Sequence, residues 1–492
     1  MSFLRSVLLG LIVVMVLASP AWAMHNEDEH SPNITFHFNS ATGVTNSDIA
    51  FWGNRAYVGN YSGFRIFDIS DPVSPRLVRD VFCFGPQNDP VVWRGAGRTL
   101  LFLAVDSVLT GPRCGSEIAD DPTAAGGWEG FRIFDVSNAR RPRFVTGVYA
   151  DCGAHTITAF PQSRRTLLIY VSSYPLRPGP TCGEGQAADP LHSRIQVYKV
   201  PLNKPRMTRE IAEPPVSYPG DPDNVFDPQE HGLPEGFGDL RACHDIGVFV
   251  ELRLAAGACA EQAQLWRVSS DGVPDTANPL WVFDDPVDEN GATGDPEDAE
   301  VAVDFWHSAT FSWDGQVVNF IDESFGNGCP PVTAKGGAAE PNADTGRMFF
   351  LSTATGEKFS HFMLPRPEED AYCSAHLGNT VPTRDGSDLL VNAWYMGGLD
   401  VIDFSDPTNP FEIAWYDAAP PGVTGSDNWS AYWYEGPATP SGSRDDKLSI
   451  YGNDGVHSPD TGLGFQSFSV AADIDDFKLR RLNPQTQERV LP

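Results

Sequence analysis

The sequence predicts an all-β fold, a seven-bladed β-propeller of four-stranded blades held by disulfides. Three observations carry this prediction. A strand–turn–strand signature recurs seven times along the 492 residues. Turn formers are abundant, with 46 Gly and 41 Pro, beside a hydrophobic content of 41% that is ample for a core. Eight cysteines, none in a C-x-x-C pair, sit in a chain that opens on an export signal.

The repeat is clearest where three segments align without a gap: GFRIFDISDPVSPRLV (63–78), GFRIFDVSNARRPRFV (130–145) and GLDVIDFSDPTNPFEI (398–413). Each begins with Gly, alternates through β-branched and aromatic residues to an Asp, and turns at Ser and Pro into a second apolar run. That is a strand, a tight turn and a strand. RIQVYKV (194–200), QLWRVSS (264–270), GRMFFLS (346–352) and GFQSFSV (464–470) are weaker copies, which brings the count to seven. Upstream of each lies a further strand pair, such as SDIAFWGNRAYVGN (47–60) or WHSATFSWDGQVVNFIDES (306–324). Seven units of four strands, each touching only its neighbours, leave short protected edges, as a propeller does.

The Gly-to-Asp run closing on Ser-Asp-Pro, paired with an upstream His-Asp-Ile or His-Ser-Ala, resembles the LVIVD-repeat family of secreted propellers. The resemblance covers roughly residues 34–470 and is sharpest in the first, second and sixth blades. It implies a fold and no particular activity. Closure is expected from ITFHFN (34–39) as the last strand of blade seven, with FKLRRL (477–482) as the competing choice. The repeat Asp (Asp68, Asp135, Asp403) stands at a turn entrance, where a carboxylate caps backbone N–H groups.

Residues 1–23 read as a signal peptide: Arg5, an apolar stretch from Val7 to Ala18, and the small-x-small site Ala21-Trp22-Ala23. The expected organisation is the signal, a propeller over 34–470 and a C-terminal tail over 471–492, in a secreted, extracellular or periplasmic monomer. A formal charge of −31 repels phosphate backbones and anionic lipid, so nucleic acid and membrane partners are disfavoured. No later stretch is long and apolar enough to span a bilayer.

The seven first strands open on Ser47, Asn88, His155, His244, His307, His376 and Trp429. Four of the chain's eleven histidines thus hold one equivalent position in consecutive blades. First strands line a propeller's channel, so these side chains should converge near one end of the axis. Neutral imidazoles suit a transition metal such as Cu, Zn, Fe or Mn. Equally, each ring can bond a carbonyl of the next blade and act only as a structural tie. Asp48, Asp89 and Asp245 follow the ring position in three blades.

Long insertions at 107–129, 174–192 and 325–344 fall on the same face as the histidines. Sequential pairing of Cys83–Cys114, Cys152–Cys182, Cys243–Cys259 and Cys329–Cys373 would tie each insertion to a neighbouring crossing, one of 105 pairings that eight cysteines allow. Glu323, Tyr61, Tyr174 and Tyr395, near the ends of second strands, join Trp429 as candidate ligand-binding residues. The acidic runs 284–300 and 220–232 are oxygen-rich enough to attract Ca but lack EF-hand spacing, and read as solvated loops.

No nucleophile elbow, HExxH helix, phosphate loop or dinucleotide fingerprint is present. The expected function is therefore a binding platform for a small polar ligand, a glycan or an extracellular protein, with a metal site in the central channel. The alternative is a metal-dependent extracellular enzyme, an oxidase or lyase, working through the channel histidines; no catalytic residue is assigned.

Overall fold

The computed structural model describes residues 30–173, 178–182, 192–219, 225–226, 240–284, 303, 305–323, 346–365, 373–417, 426–437, 447–456, 462–472 and 474–489. The signal peptide, Tyr174, Cys329 and both acidic runs (284–300 beyond Asp284, and most of 220–232) lie outside them. Among the described residues, secondary structure is all strand apart from one 3-10 turn at Pro205–Met207. Among the described residues, no helix is long and apolar enough to cross a membrane.

The strands form antiparallel four-stranded meanders. The first runs Asn46–Trp52, Arg55–Asn60, Gly63–Asp68 and Arg76–Phe82. Those beginning at Gln87, Thr156, Asp245 and Trp306 repeat this order. The strands from Ala375 and from Asn428 share an eight-stranded sheet, joined by the single parallel pairing of Leu377 with Ser430. Each first strand packs beside the next, and Asn46–Trp52 also packs beside Asn428–Trp433, so the first strands close on themselves. That arrangement is a β-propeller. Ile34–Ala41 pairs antiparallel with Gly464–Ala471, so the N-terminal segment supplies the outer strand of the last meander.

Local chemistry explains the repeat. Gly63, Gly130 and Gly398 take φ of +152°, +130° and +79°, and a Cβ at each would stand 2.0–2.3 Å from a carbonyl of the outer strand. The repeat Asp accepts from the backbone two residues on: Asp68 from Ser70, Asp135 from Ser137, Asp403 from Ser405, at 2.9–3.1 Å. The Arg of GFR has a job the sequence did not disclose. Arg132 donates to the carbonyls of Cys83 and Phe84, and Arg65 to those of Ser40 and Ala41. Each thus clamps the strand exit of the preceding meander.

Cys83–Cys114, Cys152–Cys182 and Cys243–Cys259 are bonded, three of the four pairs set out above. Cys373 is also disulfide-bonded, and its expected partner Cys329 is outside the described residues.

FKLRRL does not close the ring. The segment after Ile474 instead crosses the far end of the channel. Phe477 bonds Pro382, Leu479 bonds Glu435, Leu482 pairs with Phe51, and Asn483 bonds both backbone groups of Val92. Thr486 then reaches Ala159, Gln487 pairs with Phe249, and Gln487 donates to Ser312. One short segment therefore laces first strands from all around the ring.

Candidate functional site

The ring position is buried throughout: His155 is 9% exposed, and His244, His307 and His376 are 1–2% exposed. Ring centroids step from His155 to His244 at 4.4 Å, to His307 at 3.8 Å and to His376 at 4.1 Å. Tyr395 and Trp429 extend the chain, at 4.4 and 4.9 Å from His376.

Backbone carbonyls orient two of the rings. His244 donates from Nδ1 to the carbonyl of His307 at 3.0 Å, and His376 from Nδ1 to that of Trp429. A carbonyl only accepts, so both rings carry their proton on Nδ1 and present a bare Nε2 when neutral. His307 differs. Its Nδ1 is buried with no hydrogen-bond partner among the described residues.

Glu323 closes the group. Its Oε2 is 3.6 Å from Nε2 of His307, its Oε1 is 3.8 Å from Nε2 of His376, and the Tyr395 hydroxyl donates to Oε1 at 2.8 Å. Ligating atoms of His244, His307 and Glu323 all lie within 4.8 Å of one another. Burial first, then the neighbouring imidazoles, pushes His244 and His307 well below the usual histidine range. The His307–Glu323 approach is therefore between a neutral ring and a carboxyl, and is no ion pair near neutral pH. Neutral nitrogens beside a carboxyl oxygen form a donor set suited to a borderline transition metal. A second cluster, Asp151 with Cys152 and Cys182, has no such capacity because its sulfurs are bonded to each other.

His155 touches the His244 ring edge-on but takes its polar partners from elsewhere. Its Nδ1 meets Asp106 Oδ2 at 2.8 Å, and the Gln87 amide lies within 3.1 Å of the ring. Asp106 was not singled out by sequence reading, although register exposes it. In four meanders the residue before the ring position pairs across the hairpin: Asn46 with Asn60, Gln87 with Val105, Trp306 with Asp322, Ala375 with Trp394. One residue further stand Tyr61, Asp106, Glu323 and Tyr395. Asp106 is the same position in the second meander, hidden because its strand runs on to Leu109.

Tyr61 sits in a turn whose backbone is tied to Thr45 and Gly85. One residue below the ring, Asp48, Asp89 and Asp245 are buried and bond inner-strand groups: Asp48 accepts from Tyr432, Asp89 from the Ile157 N–H, Asp245 from Ile246. Burial raises Asp48 to about 6 and Asp245 to about 8.

The LVIVD repeat family model matches residues 45–82 and 393–418. The first stretch spans the whole first meander and the second the outer hairpin from Gly398, so the chain carries LVIVD repeats there; GFRIFDVSNARRPRFV falls outside both. No curated protein matches the chain. Among solved structures, it is similar to Sqt1 of Saccharomyces cerevisiae, at 8% identity and TM-score 0.45, over 91% of this chain and 99% of that one. A Lactobacillus plantarum protein is similar at 12% identity and TM-score 0.45, over 88% and 100%.

Proposed function

We propose that this protein is a secreted seven-bladed β-propeller whose histidine-bearing end is a binding platform for a small polar ligand or glycan. The eight-stranded sheet counts as two blades joined at one pairing, and the disulfides fit an oxidising compartment. The platform is centred on a transition metal held by Nε2 of His244, His307 and His376 and by Glu323. Tyr395 and Trp429 form the wall against which the ligand rests.

One observation carries the reading: imidazoles from adjacent blades converge on one carboxyl, with two of their Nδ1 protons fixed by backbone carbonyls. Ligands about 2.0–2.2 Å from zinc at tetrahedral angles stand roughly 3.3–3.6 Å apart. The 3.6 and 3.8 Å separations to Glu323 are close to that, while the ligating atoms of His244, His307 and Glu323, within 4.8 Å of one another, and His376, which lies outside that triad, draw inward on binding. A purely structural histidine tie would require the carbonyl bond alone and would not bring Glu323 to the other nitrogen.

The test is elemental analysis of mature protein exported without a His-tag and purified without chelator. One equivalent of a transition metal is expected, and it should be lost from a folded His244→Ala/His307→Ala variant. No metal, or metal unaffected by the two changes, would overturn the proposal.

A further inference from the structure

At the opposite end of the first strands lies a cleft of about 910 Å³, between the first two meanders and the C-terminal segment. Arg55, Arg94, Arg140, Arg480 and Arg481 line it, with Trp52 on one wall, and no carboxylate does among the described residues. Acidic residues outnumber basic ones 65 to 34 in this chain, so a lining of five arginines and no carboxylate is the reverse of its composition as a whole. Two of the five already have partners, Arg55 in Asp68 and Arg481 in Glu488. Arg94, Arg140 and Arg480 form no ion pair among the described residues.

The arginines are positioned by structure at both ends of the cleft. Arg481 pairs with Trp52 in sheet fashion, Gly53 donates to the carbonyl of Arg480 at 2.8 Å, and the Arg481 guanidinium lies 4.9 Å over Trp52 and 4.1 Å over Trp93. Arg94 is the next-to-last residue of the first strand of the second meander, and Arg140 sits in the turn after its repeat Asp. Three guanidiniums without acids, each able to grip an oxyanion through two parallel N–H groups, define what the cleft recognises.

We propose that this cleft is a second binding site, specific for a small organic or inorganic polyanion bearing at least two carboxylate, sulfate or phosphate groups. It lies at the other end of the channel from the histidines and shares no residue with them. A nucleic acid or membrane is a poor occupant, because the surrounding acidic surface repels extended polyanions.

Calorimetric titration of the full mature protein with digalacturonate, a heparin-derived sulfated disaccharide and pyrophosphate tests this, with neutral cellobiose as control. At least one anion should bind tenfold or more tightly than cellobiose, and which one identifies the source of the oxyanion. An Arg94→Ala/Arg140→Ala/Arg480→Ala variant should bind it at least 100-fold more weakly, with unchanged melting temperature and metal content. These side chains are exposed, so the variant should fold. No preference for any of the three anions over cellobiose, or equal binding by the triple variant, would overturn the site.

Discussion

His376 and Trp429 are joined across a blade boundary: the ring Nδ1 donates to the Trp429 carbonyl, and the opposite nitrogen is left 3.8 Å from Glu323. His244 repeats the arrangement through the carbonyl of His307. The two readings of the ring position are therefore not exclusive. One nitrogen ties neighbouring blades, and the same ring also belongs to the group gathered around Glu323.

Glu323→Gln separates those roles. The amide oxygen still accepts from Tyr395, so the fold should hold, with a melting temperature within about 4 °C of the parent. Loss of the anionic ligand should weaken zinc binding at least about tenfold in a competition titration against a chromogenic chelator. Unchanged affinity would remove Glu323 from the donor set.

His155→Ala should behave in the opposite way. Asp106 and Gln87 occupy this ring, which keeps it out of the Glu323 group. The substitution should leave metal content at the parental value while costing about 1–3 kcal/mol, because Asp106 and Gln87 lose a buried partner. Elemental analysis and a urea titration read the two effects separately. Metal lost with His155 would extend the donor set to a fourth histidine.

Much of this was legible in the sequence, and the limits are physical. Periodicity exposed the strands because Gly63, Gly130 and Gly398 and the turn-capping Asp residues are required by local backbone geometry, which repeats with the blade. The histidine position was legible for the same reason: equivalent residues on adjacent first strands must converge. Which histidines converge on a carboxyl was not, since that depends on side-chain direction and on Asp106 competing for His155. The arginine cleft was invisible, because it joins residues some 400 positions apart through the pairing of Trp52 with Arg481. The clamp formed by Arg65 and Arg132 lay in plain view in GFR, but a lone cation in a strand reads as solvated until its carbonyl partners are seen.

Stability should fall as pH rises through the neutral range, in part because of Glu129. It is 3% exposed, its Oε1 has no hydrogen-bond partner among the described residues, and burial followed by the charges of Asp106 and Asp151 raises it to about 8. The unfolded chain releases this proton near 4.5. Between those values the folded state binds more protons, so the slope of unfolding free energy with pH is negative. The contribution is complete below about pH 4.5 and is lost as pH rises through 8, on the order of a few kcal/mol. Asp48, raised to about 6, acts in the same sense over a narrower window. Thermal melts from pH 5 to 9 should show a shallower decline in Glu129→Gln than in the parent. Parallel declines would mean that Glu129 is ionised in the folded protein.

The repeat glycine gives the sharpest test of the fold. At Gly63 an added Cβ would stand 2.0 Å from the Val81 carbonyl and 2.8 Å from the Cys83 N–H, both backbone atoms that cannot swing aside. Gly53, at φ +60°, has open space around the same position. Gly53→Ala should cost only the left-handed backbone penalty, about 1–2 kcal/mol. Gly63→Ala adds displacement of the outer strand Arg76–Phe82 and of the crossing that the Cys83–Cys114 disulfide anchors, so it should cost more than about 4 kcal/mol. Urea midpoints for the two variants, measured with the disulfides intact, read the difference directly. Equal costs would mean that the Gly of the repeat answers to backbone conformation alone, and that the outer strand can retreat at little expense.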